Sequence, residues 1–280
     1  MSRQPVEFHL LAETRLAPRP ALPGFVTDLR PGRRDPLARA ARGADLAGLA
    51  GLVVPFDTEG AESLVTAAGA LRATRHLRVT AEFHPAVATP VYAAKLSASL
   101  QRFSAGRLGW KLAVDLDRAV ARAQGDFLEG AARYRRAAEF LTVAKGVWNS
   151  AAFDFEGEFY RVLEGGLRFP LSEGRFPCVY LSGSSPEALK LSAEHADVHI
   201  LDSTDQEIPD LPGVALGLRL RLDGGDEALD AFAETVREQA ARGVGVFLVD
   251  ATPSPDAAYR IGESLIPRLA GTGKEIAHVG

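Results

Sequence analysis

Four short stretches of the chain set residues, most of them charged or hydroxyl-bearing, at even spacings, as a β-strand presents residues on one face. They are Glu7 and His9; Thr80, Glu82 and His84; Lys111 and Asp115; and Gly217, Arg219 and Arg221. If those faces turn inward together, several charges meet, and an unpaired buried charge is costly. They must pair with one another or bind something. Pairing predicts an internal ion network, with Glu7 and Glu82 set against Lys111 and Arg219. Binding predicts a cationic surface whose fixed charges face a ligand. Glu82 and His84 also fit plain positions at the rim of a site, and His84, of the right type for a general base, has no partner legible in the sequence.

A fifth stretch, "CVYLSGSSPEAL" over residues 178–189, ends an apolar run with Ser182-Gly183-Ser184-Ser185 and then places Pro186 at the start of a helical pattern. One reading is local: Ser185 is an N-cap and Pro186 sits at the first helical position, where its missing N–H costs nothing. The other is that free N–H groups and hydroxyls at a helix N-terminus hold an anion, most simply a phosphate. Both readings stay open on these residues alone.

The elements that must position these groups alternate along the chain. Strands are predicted at Val6–Ala12, Gly51–Pro55, Leu77–His84, Arg107–Val114, Cys178–Ser182, Val198–Asp202, Val214–Leu222 and Val244–Val249. Helices are predicted at Asp35–Arg42, Ala61–Ala73, Pro90–Phe103, Ala131–Trp148, Pro186–His195, Asp226–Ala241 and Pro255–Leu269. Such alternation implies parallel strands with helical crossovers. Eight units predict an α/β fold of the (β/α)8 (TIM) barrel type, with its site at the C-terminal ends of the strands. A doubly wound sheet would carry a Gly-rich turn after its first strand, and Ala12-Glu13-Thr14-Arg15 is not one. The segment Ala151–Pro177, with "FDFEGEFYRV", reads as an added hairpin, so one domain is expected over residues 1–280.

Bulk composition narrows the function classes. The 280 residues are 46% hydrophobic and 24% charged, with a formal charge of −4. That is ordinary for a globular protein and unlike the basic footprint of a nucleic-acid binder. The Arg-rich stretch Arg30–Arg42 reads as a loop and a solvated helix face. A single cysteine, Cys178, excludes an internal disulfide and a thiolate metal site. The six histidines are scattered without metal-ligand spacing, so no metal is expected. No apolar run reaches membrane-span length and no signal pattern opens the chain, so a cytoplasmic protein without membrane contact is expected.

Several segments, taken in order, resemble the bacterial luciferase-like flavin monooxygenases, and most closely their alkanesulfonate monooxygenase group. They are "HPAVATPVYAAKLSASLQRFSAGRLGWKLAVD", "ARYRRAAEFLTVAKGVWN", "FDFEGEFYRV", "PCVYLSGSSPEALKLSAEHADVHIL" and "ARGVGVFLVDATPSPDAAYRIGESLIPRL". The resemblance implies a (β/α)8 barrel that uses reduced FMN and oxygen. It implies that Gly183, Ser184 and Ser185 hold the flavin phosphate, with Tyr134 as a further contact; Tyr134 also fits an aromatic that staples a helix start. Glu82 is expected beside the cofactor, and Lys111, Arg219 and Arg221 as the cations that stabilise developing charge.

Departures from that family bear on the chemistry. In "GLRLRL" Arg219 matches a family arginine, but Arg221 stands where the alkanesulfonate enzymes have histidine. Lys111 takes the place of a common asparagine, Gly60 lies near a position that is cysteine in relatives, and Thr252 replaces a functional tyrosine. The lid-bearing insertion after Leu222 is almost absent, which weakens water exclusion from the site. The resemblance thus implies a monooxygenase or related oxidoreductase acting on a small organic substrate with oxygen, fed by a separate flavin reductase since no nicotinamide fingerprint is present. A homodimer is a family habit. The alternative is a non-catalytic barrel with a degenerate flavin pocket that binds a small molecule or anion. A deazaflavin enzyme is a weaker third reading, because its acidic tail needs basic rim residues that are not evident.

Overall fold

Eight parallel strands close into a barrel in the computed structural model, which describes residues 6–15, 20–27, 29, 36–167, 175–224, 226–251 and 255–269. In chain order the elements are β1 (Glu7–Leu11), α1 (Pro36–Leu46), β2 (Gly51–Val54), α2 (Ser63–Ala73), β3 (Arg78–Phe83), α3 (Pro90–Ser104), β4 (Leu108–Leu112), α4 (Arg118–Ala123), α5 (Ala131–Asn149), β5 (Phe153–Glu156), β6 (Arg161–Gly165), β7 (Cys178–Ser182), α6 (Pro186–His195), β8 (Val198–Leu201), β9 (Ala215–Arg221), α7 (Asp226–Ala241), β10 (Val244–Asp250), α8 (Pro255–Arg260), a π-helical turn (Ile261–Leu265) and α9 (Ile266–Leu269). The barrel order is β1-β10-β9-β8-β7-β4-β3-β2. All eight predicted strands are present, and β5 and β6 form the expected antiparallel hairpin. Residues 202–214, between β8 and β9, contain no helix, so one of the eight units lacks its crossover helix.

Capping accounts for several boundaries. The Glu62 carboxylate accepts the N–H groups of Leu64 and Val65, so α2 starts at Ser63, two residues later than its pattern predicts. Thr89 and Ser185 cap α3 and α6, each with proline next in the chain. The short α4, capped by Asp117, was not expected. Six residues are too few to carry an apolar periodicity.

Inside the barrel, large and small residues on neighbouring strands interlock. A Cβ at Gly51 would fall 2.4 Å from His9 Nδ1, one at Gly109 2.7 Å from Thr80 Oγ1, and one at Gly217 2.4 Å from Ile200 Cδ1. Leu11, Val53, Tyr180, Val198, Ile200, Val246 and Leu248 fill the rest of the lumen. The barrel is therefore a packed core rather than a pore. The outward faces pack on the helices through a second core that includes Phe83, Trp110 and Phe140.

The two ends of the barrel differ. At the N-terminal end, the Asp45 carboxylate accepts the N–H groups of Arg75, His76 and Leu77 at 2.8–2.9 Å. Arg107 donates to the carbonyls of Leu71, Thr74, Leu77 and Ser104. These bonds close helix and loop ends around the strand starts. The C-terminal end carries the hydroxyls and charges described next.

Candidate active site at the C-terminal mouth of the barrel

The glycine-serine turn after β7 is built for close approach. Gly183 has φ +113°, and a Cβ there would lie 2.9 Å from the Ala188 Cβ and 3.5 Å from the Tyr134 hydroxyl. Ser185 Oγ accepts the Ala188 N–H at 3.1 Å, which establishes the capping role. Tyr134, in the first turn of α5, brings its phenol to the Gly183 turn, and burial raises its pKa. Ser184 is exposed. Among the described residues, no protein acceptor takes the N–H of Ser185 or Glu187. A left-over pair of N–H groups, two hydroxyls and a helix N-terminus at one turn suit an anion. The Asp115 and Glu187 carboxylates push the same pKa further up.

The charges on the inward strand faces divide into separate pairs rather than one network. Lys111 is ion-paired with Glu82, its register partner across β3 and β4, and the two side chains are only 15% and 17% exposed. The Phe56 N–H also reaches Glu82, at 3.4 Å. Arg219 is 57% exposed and binds Asp250 of β10 at 2.5 Å, while Arg221 binds Asp223 at 2.5 Å. Glu7 joins neither Lys111 nor Arg219: it pairs with Arg78 and lies 3.4 Å from His9. The predicted network of Glu7 and Glu82 against Lys111 and Arg219 is thus corrected to the single pair Glu82–Lys111. Glu7 begins β1 at the N-terminal end, whereas Arg219 lies near the end of β9, so the packed lumen separates them. Burial raises the Glu7 carboxyl pKa, but His9 and Arg78 outweigh it and hold it at about 2.

Two residues leave the faces that strict alternation predicts, because their strands end first. β3 stops at Phe83, and His84, next in the chain, is fully buried rather than exposed at the rim. It also has the partner that the sequence hid: its Nε2 is 2.7 Å from Asp126 Oδ2, and Arg136 grips the same carboxylate. β4 stops at Leu112, and Asp115 is exposed beside Arg133 rather than on the face of Lys111.

Other positions explain or limit the family departures. A Cβ at Gly60 would lie 2.4 Å from Thr14 Oγ1 and 3.0 Å from Asp57 Oδ2, so any side chain there would need Thr14 to shift. Sequence reasoning missed the cross-tie around it: Arg15 binds Asp57 at 2.6 Å and Glu59 at 2.7 Å, and Arg15, outweighing the opposing effect of burial, lowers the Asp57 pKa to about 2. β9 passes to α7 through residues 222–225 only, so the lid insertion is absent from this connection. Thr252 lies outside the described residues. Among those residues, no group of three or more His, Cys, Asp or Glu could hold a metal ion, and no helix is long and apolar enough to cross a membrane.

A cofactor with a phosphate at one end and a polar heterocycle at the other fits this end of the barrel. Gly183 keeps open the turn that a Cβ would fill, and the inward Glu82–Lys111 pair supplies both a donor and an acceptor. A family profile described as "Luciferase-like monooxygenase" matches residues 6–208. Solved structures with the same fold include the EDTA monooxygenase from Chelativorans sp. BNC1, 15% identical over 96% of this chain and 94% of that one, with a TM-score of 0.74. A riboflavin lyase holding modified FMN and riboflavin is 14% identical over 98% and 94%, with a TM-score of 0.73. The coenzyme F420-dependent tetrahydromethanopterin reductase from Methanopyrus kandleri is 12% identical over 95% and 100%, with a TM-score of 0.72. With the matched profile spanning most of a chain that closes into this barrel, the protein belongs to the luciferase-like monooxygenase family.

Proposed function

We propose that the chain is a flavin-dependent monooxygenase that acts on a small organic substrate with reduced FMN and oxygen, the reduced flavin coming from a separate reductase. The whole chain works as one cytoplasmic barrel unit in this reading, as a homodimer by family habit. The observation that carries it is the open glycine turn at Gly183, with Ser184, Ser185, Tyr134 and the α6 N-terminus around it. These groups would hold the phosphate. Glu82 and Lys111 would face the polar edge of the ring, Lys111 donating and Glu82 accepting. The bound flavin supplies the redox chemistry. Arg219, exposed at the mouth and steadied by Asp250, offers a fixed positive charge to anionic character that develops on the reacting groups; Arg221 adds a second, more exposed one. Kinship to the alkanesulfonate group rests on Arg219 and the ordered segments. Lys111, Arg221 and the short 222–225 connection separate this chain from that substrate chemistry.

One observation favours the non-catalytic alternative: Lys111, Arg219 and Arg221 each already have a carboxylate partner. An F420-type cofactor is the other alternative, and the Asp115 and Glu187 carboxylates beside the turn disfavour its acidic tail. Titrating FMN while following the fluorescence of Trp110 and Trp148 tests the reading. Quenching in the parent, sharply weakened by Ser184→Asp combined with Ser185→Ala, supports it. Affinity unchanged in that variant moves the phosphate elsewhere and leaves Ser185 as a cap. No quenching, and no oxygen consumption with reduced FMN, favours the binding protein.

A further inference from the structure

A buried ionic cluster lies behind the mouth, and no step of the proposed chemistry uses it. Asp126, in the loop between α4 and α5, has a side chain only 1% exposed. Arg136 of α5 holds it with two parallel bonds, Nη1 to Oδ1 at 2.8 Å and Nη2 to Oδ2 at 2.7 Å. The Leu128 N–H donates to Oδ1 at 3.1 Å, and His84 Nε2 lies 2.7 Å from Oδ2. The other His84 ring nitrogen lies 2.7 Å from the Ala113 carbonyl. Three segments therefore meet at one carboxylate, namely the end of β3, the α4–α5 loop and the first turns of α5, and His84 ties the end of β4 to them. Burial works against the ionised Asp126, yet Arg136, the Leu128 N–H and His84 outweigh it and lower its pKa.

A buried ion cluster is a poor source of net stability, since apolar packing of similar volume usually does as well. What it supplies instead is direction, because a guanidinium fork meets a carboxylate in one geometry. The segments it orients are those that carry the site. Two residues before His84 is Glu82, and two before Ala113 is Lys111, the ion pair in the mouth. Two residues before Arg136 is Tyr134, whose hydroxyl faces the glycine turn. Arg133 secures the same helical turn, donating to the Leu128 and Leu116 carbonyls at 2.7 and 2.6 Å.

We propose that His84, Asp126 and Arg136 are positioning residues that fix the Tyr134 phosphate-end contact relative to the Glu82–Lys111 pair, so that one cofactor is held at both ends. This rests on the cofactor placement given above. The test uses the full chain and FMN as the probe. Asp126→Asn raises the FMN dissociation constant about tenfold, and in a Tyr134→Phe background the same change adds less than about threefold, because it acts through that phenol. In the free protein, Asp126→Asn speeds amide exchange over residues 131–136. Arg136→Lys, which keeps the charge and loses the fork, gives an intermediate shift and carries the test if Asp126→Asn does not fold. Equal effects in both backgrounds, or a lowered melting temperature with unchanged FMN affinity and unchanged exchange over 131–136, overturn the proposal. Absence of FMN binding in the parent overturns the cofactor placement instead. The exchange measurement still decides whether the cluster holds the Tyr134 turn.

Discussion

Replacing Arg219 and Lys111 in turn by methionine separates a cation kept for chemistry from one kept for structure. Arg219 is 57% exposed and its partner Asp250 is 39% exposed. Losing a pair open to solvent costs about 0–1 kcal/mol. Lys111 and Glu82 are 15% and 17% exposed, and Arg219 is paired with Asp250 instead. Removing Lys111 leaves the Glu82 carboxylate with one long bond, from the Phe56 N–H at 3.4 Å. A fully buried carboxylate stranded in this way costs about 3–5 kcal/mol, and the residual exposure lowers that to about 2–4 kcal/mol. For a chain of this size each kcal/mol moves the melting temperature by roughly 2–4 °C. Thermal melts followed by circular dichroism should then show a drop below about 4 °C for Arg219→Met and one of about 5–15 °C for Lys111→Met. Oxygen consumption with reduced FMN and a substrate, once found, should fall about a hundredfold in Arg219→Met, the usual loss when one preorganised charge is removed. If Arg219→Met destabilises the protein as much as Lys111→Met, the pairing described here is wrong and Arg219 belongs to a closed interior.

Gly183→Ala places a Cβ 2.9 Å from Ala188 at a backbone angle that side chains rarely adopt. It should cost about 1–3 kcal/mol in urea unfolding and weaken FMN binding, and a neutral result would show that the turn is not constrained. Glu7 gives the stability an acid dependence. Its folded pKa of about 2 lies below the ordinary 4.5, so its contribution is fully present above about pH 4.5 and is lost as pH falls towards 2. Its half-open position limits that contribution to about 1–2 kcal/mol, and Glu7→Gln should flatten the acid limb of a stability–pH curve measured between pH 2 and 6. An unchanged acid limb would refute the Glu7–Arg78 assignment.

Much of the frame was legible in the residues. The barrel strands are short, mostly apolar runs, β-branched in β2, β3, β8 and β10, and β7 and α6 have the limits expected from the Ser185-Pro186 punctuation. The hairpin was readable because "FDFEGEFYRV" alternates aromatic and polar residues around a glycine. The pairing partners were not readable. Arg219 and Asp250 are 31 residues apart, and His84 and Asp126 are 42 apart with an unpredicted helix between them.

Local chemistry by itself determined the strand–helix alternation, the glycine turn, the serine cap and the inward faces within each strand, since all depend on near neighbours and on a period of two or 3.6. Tertiary structure decided where along the barrel each inward residue sits and where alternation stops. Strand stagger puts Glu7 at the opposite end from Arg219, and the ends of β3 and β4 turn His84 and Asp115 off the faces that a longer strand would give them. Charge pairing is a matter of a few ångströms. Whether the chain carries one buried network or several separate pairs is therefore set by barrel closure and register, and no spacing within a strand encodes those.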